Sequence, residues 1–304
     1  MRKKFYKESF FGKHYYIYKI KNWILRKKTK YQKVEICELE FFKKTVFLDE
    51  KIQSAEIDEF YYHEALVHPA MLLSDNPKDI YIIGGGEGAT LREVLKHDIN
   101  KCIMCDIDEE FVEICKEYLP EWHQGSFFDK RAFLIYKDAR KDLEERDEKF
   151  DVIISDLTEP IEEGPSSYLF TLEFYKIVKN RLKEDGIFAM QSGSTIPYYN
   201  LFFCSNYKTL KKVFKFVLPY EIYMPSFNMS WGFFIASDKN FIKDINCENF
   251  EIKIKNKKIF EKLKFLTPPF LEKMFILPKN LKRDLEEKGR ILKDDKPFIW
   301  EIDF

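Results

Sequence analysis

Five carboxylates stand where an open α/β sheet would gather its ligands. Glu87, Asp106 and Asp138 each follow an apolar run, and Asp156 and Glu159 fall together in Asp156-Leu157-Thr158-Glu159-Pro160. In such sheets the ligand crevice lies beyond the carboxyl ends of the strands. So many acids would repel a dinucleotide pyrophosphate, but they suit cationic substrates. Aliphatic amines are protonated at neutral pH, so a carboxylate at that edge is also placed to take a proton from one. Asp138 has an ordinary alternative, as a helix N-cap.

The stretch Ile80-Tyr81-Ile82-Ile83-Gly84-Gly85-Gly86-Glu87-Gly88-Ala89 reads as a buried strand, a glycine turn and the start of a helix, Thr90-Leu91-Arg92-Glu93-Val94-Leu95-Lys96-His97. Glycines let the backbone turn sharply and approach a nucleotide closely. Asp106 follows about twenty residues on, where a carboxylate can accept from both ribose hydroxyls. Together these predict adenosine binding. They do not separate a nicotinamide enzyme from an S-adenosylmethionine enzyme; the excess of acids does, in favour of a sulfonium and a polyamine.

Two other patterns carry less. Cys102-Ile103-Met104-Cys105 has redox or zinc spacing, but it falls in a predicted strand, where positions three apart point to opposite faces. In His63-Glu64-Ala65-Leu66-Val67-His68 the position four after His63 is Val67, so the zinc-helix spacing is not met. No metal or prosthetic group is expected. The six cysteines, at 37, 102, 105, 115, 204 and 247, are scattered as in a reduced, cytoplasmic protein.

The elements that must position these residues follow from periodicity. The first sixty residues read as short strands and turns, with alternation over 34–39 and again near Val46-Phe47-Leu48. From Asp58 a helical period runs through Tyr61, Ala65, Leu66 and Met71 to about Asn76-Pro77. Strands are then predicted at 80–83, 102–106, 132–136, 152–156 and 187–191, with a pair near 221–224 and 232–237. Helices are predicted at 91–97, 109–118, 172–183 and 207–216. This is the rhythm of a doubly wound, mostly parallel sheet. The Lys-rich tail after Asp238 predicts only a helix near 278–288. The division expected is a β-strand domain over 1–57 and a Rossmann-like catalytic domain over 58–304.

Composition sets the remaining bounds. The 304 residues are 45% hydrophobic and 34% charged, which is enough apolar material for a full core. Lys+Arg and Asp+Glu balance at 51 each, so no global field recruits nucleic acid or anionic lipid. Arg26-Lys27-Lys28 and Lys257-Lys258 read as solvated faces. Charge interrupts the start of the chain before a signal-like apolar region forms, and no later stretch stays apolar long enough to span a bilayer.

The glycine turn with Glu87, the Asp156–Pro160 run, Gly164-Pro165 and Asp58-Glu59-Phe60-Tyr61-Tyr62-His63-Glu64 strongly resemble the spermidine synthase family, in unbroken order over roughly residues 30 to 240. The resemblance implies a seven-stranded methyltransferase-like domain behind a small N-terminal β domain, assembled as a homodimer or homotetramer. It implies transfer of an aminopropyl group from decarboxylated S-adenosylmethionine to a polyamine nitrogen, with release of methylthioadenosine. Carried over by motif, Gln32 and Asp106 hold the nucleoside, Asp138 and Ala139 read adenine, and Pro165 lines the methylthioadenosine pocket. Glu87 grips the aminopropyl ammonium. Tyr62 and His63 line the channel between the substrates. Asp156 is the general base, with Glu159 and Gln191 nearby.

Three departures concern the acceptor. Glu87 and Glu159 stand where putrescine-using members carry Asp, and Phe227 stands where those members carry a Tyr. The segment Pro225-Ser226-Phe227-Asn228-Met229-Ser230-Trp231-Gly232 is similar to thermospermine synthases, and Glu121-Trp122-His123-Gln124-Gly125 is similar to thermophilic enzymes that use agmatine or triamines. The acceptor is therefore putrescine, agmatine or a triamine such as spermidine. The alternatives are a methyltransferase on the same fold and a catalytically dead polyamine-binding protein. Glu87 separates the first, since it would repel the carboxylate of the intact donor.

Overall fold

The computed structural model describes residues 4–10, 14–160 and 166–300. Five antiparallel strands, β1 (Phe5–Phe10), β2 (His14–Lys28), β3 (Lys33–Leu39), β4 (Lys43–Leu48) and β5 (Lys51–Ala55), form a sheet in chain order. Its inner strands are apolar on both faces. In β4, Phe47 enters one core, while Val46 and Leu48 enter another with Val34, Ile36, Phe111 and Trp122. Both sides of this sheet are thus partly covered by the rest of the chain.

Helix α1 (Glu59–Leu73) leads into the α/β part. There β6 (Asp79–Gly84), β7 (Lys101–Asp106), β8 (Ala132–Tyr136), β9 (Phe150–Asp156), β10 (Leu182–Ser194), β11 (Phe216–Met224) and β12 (Met229–Ser237) order as β11-β12-β10-β9-β6-β7-β8. Only β12 runs antiparallel to its neighbours. The order reverses between β6 and β9, and the ligand crevice of a doubly wound sheet opens at that reversal. Period-2 alternation sorts β6 between two cores, with Ile80 and Ile82 on one face and Tyr81 and Ile83 on the other. Cys102 and Cys105 are sorted in the same way, on opposite faces of β7.

Helices fill both faces: α2 (Ala89–Leu95), α3 (Glu109–Tyr118), α4 (Pro120–His123), α5 (Ala139–Glu145), α6 (Leu172–Arg181), α7 (Leu201–Leu210), α8 (Cys247–Lys257), α9 (Pro268–Met274) and α10 (Lys279–Glu287). Two sequence expectations need correction. The helix expected at 207–216 lies six residues earlier, as α7, because Phe202, Phe203 and Cys204 supply its buried face. Phe216 instead opens β11, paired with Ser237. The tail carries α8 and α9 as well as α10. Its Lys-rich stretches hid them, since each helix buries only a few residues. No helix among the described residues is long and apolar enough to cross a membrane.

Helix α1 is buried nearly all round and carries Pro69 in its interior. Proline has no N–H to give the carbonyl four residues back. The Tyr220 hydroxyl donates to that Ala65 carbonyl at 2.9 Å instead. Buried Glu64 accepts the backbone N–H groups of Lys264, Phe265 and Leu266, which ties the tail to α1. Arg92 of α2 forms a two-pronged bridge to Glu59 at 3.0 and 2.9 Å, and its Nε donates to Glu93 at 2.7 Å. Glu59, Arg92 and Glu93 are 5%, 7% and 0% exposed, so little water can replace a lost partner.

Breaking a buried pair by removing one side costs about 3–5 kcal/mol. Arg92→Leu strands Glu59 and Glu93 without that cation, and it is expected to lower the stability measured by urea unfolding by an amount in that range. A loss under about 1 kcal/mol would show that the network is solvated and does not hold α1 to α2.

Candidate functional site

One crevice at the carboxyl edge of β6 and β9 collects nearly every residue singled out from the sequence: Gln32, Tyr62, His63, Glu87, Asp106, Asp138, Ala139, Asp156, Glu159, Gln191 and Phe227. Pro165 and Gly164 lie outside the described residues.

The glycine turn sets the floor. Gly84 has φ +78°, and a Cβ there would sit 2.4 Å from the Asp156 carbonyl oxygen. The Gly85 N–H donates to that carbonyl at 3.0 Å, clamping the turn to the end of β9. Asp156, the last residue of β9, has both carboxylate oxygens oriented: Oδ1 accepts from the Tyr62 hydroxyl at 2.8 Å and Oδ2 from the Thr90 hydroxyl at 2.6 Å.

Glu87 follows the turn, and burial pushes its carboxyl up to about 7 even though His63 works against the shift. Nε2 of His63 lies 3.8 Å from it, while Nδ1 is held by the carbonyl and carboxylate of Glu59 at 2.7 and 2.9 Å. Burial opposes protonation of His63, but the Glu59 carboxylate outweighs it and holds the pKa above the ordinary value. The Tyr62 phenol is raised well above its usual range by burial, with Asp156 adding to it, so it stays a neutral donor.

Toward β7, burial lifts Asp106 to about 6. Gln32 donates to Asp108 Oδ2 at 3.0 Å, so its side chain is fixed at the crevice wall. Asp138 Oδ1 accepts from the Arg140 and Lys141 N–H groups at 2.9 and 3.5 Å. The N-cap alternative raised from the sequence is therefore real, and it coexists with a position on the crevice wall.

At the other end, burial raises Glu159 to about 7, opposed by the Trp300 indole and the Lys51 charge. Gln191 is largely engaged within the protein: its Nε2 donates to the Leu157 carbonyl at 2.6 Å, and its Oε1 accepts from the Gly193 N–H at 2.9 Å and from Trp231 Nε1 at 3.1 Å. Phe227 is buried, 4.8 Å from Trp231 and 6.5 Å from Tyr62 between ring centroids. Its turn is anchored by Asp58, which accepts the Ser226 N–H at 2.6 Å.

Sequence reasoning missed several participants. Thr90 had a signal, since it sits three residues after Glu87 on the helix that leaves the turn. Lys51 and Glu8, from the N-terminal sheet, and Trp300, from the tail, line the same crevice. Nothing local marked them. The arrangement presents an acid-rich, partly apolar trough with one carboxylate oriented by two hydroxyls, which fits proton abstraction from a cationic amine beside a second cationic ligand.

A sequence profile of the Spermine/spermidine synthase domain matches residues 59–249. A polyamine aminopropyltransferase from Sulfurisphaera tokodaii is 43% identical over 276 residues, 90% of each chain. A thermospermine synthase from Arabidopsis thaliana is 40% identical over 270 residues, 88% of this chain and 78% of that one. Among solved structures, a spermidine synthase in complex with the transition-state analogue AdoDATO superposes with a TM-score of 0.86 at 33% identity, covering 94% of this chain and 96% of that one. The spermidine synthase from Thermotoga maritima gives 0.85, again at 33% identity.

An acid whose pKa is raised on folding binds its proton more tightly in the folded state. Its contribution to stability is complete below the unfolded value, here 4.5, and is lost as pH rises to about 7. For Glu87 this amounts to at most roughly 3 kcal/mol. With no ligand added, Glu87→Gln is expected to flatten the fall in urea-unfolding stability between pH 5 and 7.5 and to be the more stable protein at pH 7.5. Parallel curves for the two proteins would show that Glu87 is not penalised by burial.

Proposed function

The chain belongs to the spermine/spermidine synthase family, and on that premise we propose the following division of labour for its site. It is a polyamine aminopropyltransferase, a transferase that moves the aminopropyl group of decarboxylated S-adenosylmethionine to an amine acceptor. The observation that carries the mechanism is the Tyr62–Asp156–Thr90 arrangement at the reversal of the sheet.

The donor lies along the β6–β7 side as co-substrate. Asp106 and Gln32 hold the nucleoside, Asp138 and Ala139 meet the adenine, and Glu87 takes the aminopropyl ammonium, with His63 beside it. A buried carboxyl poised near 7 gains most from a cation, which replaces the water it has lost. The acceptor lies along the Glu159–Phe227 side, contacting Tyr62, Asp156 and Glu159. Gln191 holds Trp231 and the Leu157 carbonyl in place around it.

Asp156 takes a proton from the acceptor ammonium, and Tyr62 orients the nitrogen. The freed lone pair forms the new C–N bond at the carbon beside the sulfonium. The C–S bond breaks, its electron pair goes to sulfur, and methylthioadenosine leaves as a neutral thioether. Holding two cations in line is the main contribution, and the surrounding carboxylates offset their mutual repulsion. No prosthetic group or metal enters this sequence. We assign the enzyme to the cytoplasm, with all six cysteines as thiols in support. We also assign it to a homodimer or homotetramer, with Phe5, Tyr15, Ile17 and Phe41 exposed on the N-terminal sheet in support.

Incubation of the purified protein with donor and a panel of putrescine, agmatine and spermidine tests the reading. Methylthioadenosine is expected only from the decarboxylated donor, because Glu87 repels the carboxylate of the intact one. Agmatine or spermidine is expected to match or exceed putrescine, since Phe227 has no hydroxyl to hold a short diamine. A tenfold preference for putrescine in kcat/KM, about 1.4 kcal/mol, would overturn the acceptor reading. Comparable turnover of intact S-adenosylmethionine would overturn the donor reading.

Asp156→Asn is expected to lower kcat by about two to four orders of magnitude while leaving donor binding close to wild type. Half-maximal activity in this variant would mean that another group accepts the proton.

A further inference from the structure

Among the described residues the tail returns to the crevice at Trp300. The backbone N–H of Trp300 donates to the Pro160 carbonyl at 3.2 Å, and its indole Nε1 donates to Glu159 Oε1 at 3.2 Å, from 141 positions away in the chain. Its ring packs edge-on to Phe298 at 4.9 Å, and Phe298 in turn packs on buried Phe202 at 5.0 Å, so the indole is braced from behind. The same oxygen lies close to Gly193, which has φ +71° and where a Cβ would lie 2.4 Å from Glu159 Oε1. One oxygen of Glu159 therefore meets both a glycine backbone and an indole N–H.

A Glu side chain has one more rotatable bond than Asp and more ways to point. A single N–H donor on one oxygen selects one of them and leaves the second oxygen for a ligand. Such a donor also favours the ionised form of a buried carboxylate. The charged groups that reach Glu159 from the packed elements are Lys51 of β5, whose charge also favours the ionised form, and Glu8 of β1, which opposes it.

We propose that Trp300 is a specificity-determining residue of the acceptor end: through its indole N–H it holds one oxygen of Glu159 and turns the carboxylate toward the distal cationic nitrogen of the incoming amine. This rests on the reading of Glu159 as an acceptor contact. The amine class favoured is one with a second cation, ammonium or guanidinium, beyond the attacking nitrogen. Glu159 and Gly193 lie within the matched domain at 59–249 and Trp300 lies beyond it, so acceptor choice is partly set by the tail.

Trp300→Phe removes the N–H and keeps an aromatic ring. With decarboxylated donor and spermidine or agmatine at pH 7.5, it is expected to raise acceptor KM about fivefold or more, to leave donor KM unchanged, and to move the acidic limb of acceptor kcat/KM to higher pH. Trp300→His, which keeps a ring N–H, is expected to recover part of the loss. In a Glu159→Gln background Trp300→Phe should add less than twofold, because the charge it serves is gone. A silent Trp300→Phe beside an active Glu159→Gln effect overturns the role of Trp300 alone, and so does a fivefold effect that persists in the Gln background. If Glu159→Gln itself leaves acceptor KM at the wild-type value, the acceptor reading of Glu159 fails and the role of Trp300 falls with it.

Discussion

Carboxylates taken out of water are the constraint around which this molecule is arranged. Glu87, Asp106 and Glu159 share one crevice, and burial raises each of them. A group so placed is costly when charged and alone, and much less so beside a cation. The free protein offers partial compensation, through His63 at Glu87 and Lys51 near Glu159. The remainder is left for ligands; in the proposed roles of Glu87 and Glu159, two cationic substrates supply it. The same electrostatics that make the empty site unfavourable at neutral pH make it selective for positively charged molecules.

Asp156 is handled differently from its neighbours. It sits on the last position of a central strand, and two hydroxyls from different helices orient its oxygens. Orientation of this kind costs no reorganisation during the reaction. It depends on the glycine turn, because only a residue without a Cβ lets the backbone at Gly84 pass so close to the Asp156 carbonyl.

The polar run at the start of α1 ties these parts together. Asp58 anchors the turn that carries Phe227, Glu59 binds Arg92 and His63, Tyr62 meets Asp156, and Glu64 receives the tail. Seven consecutive residues thus reach four separate regions of the chain, which is why a helix almost without an exposed face can carry so many polar side chains. These buried pairings fix the relative positions of α1, α2, the end of β9, the Phe227 turn and the tail around the trough.

Much of this was legible in the sequence, for a local reason. The strand–glycine turn–helix unit, the acids at successive strand ends and the Asp58–Glu64 run are each contiguous. Period-2 and helical patterns report burial residue by residue, so β6, β7, β8 and β9 emerged close to their bounds, and the Cys102/Cys105 pair could be read as lying on opposite faces. Helix α7 was misplaced because its aromatic residues run on toward those of β11, and hydrophobicity alone does not say where one element hands over to the next. The cap on Asp138 was visible as an option, but not its coexistence with a place on the crevice wall. What only the tertiary structure decided were the pairings across distance: Thr90 on Asp156, Gln191 on Trp231, Lys51 and Glu8 at the far end, and Trp300 on Glu159. Such pairs are separated by tens to more than a hundred residues and leave no period or spacing behind. They exist only because the sheet order brings β6 beside β9 and β10 beside β12, and because the N-terminal sheet and the tail close on the same crevice.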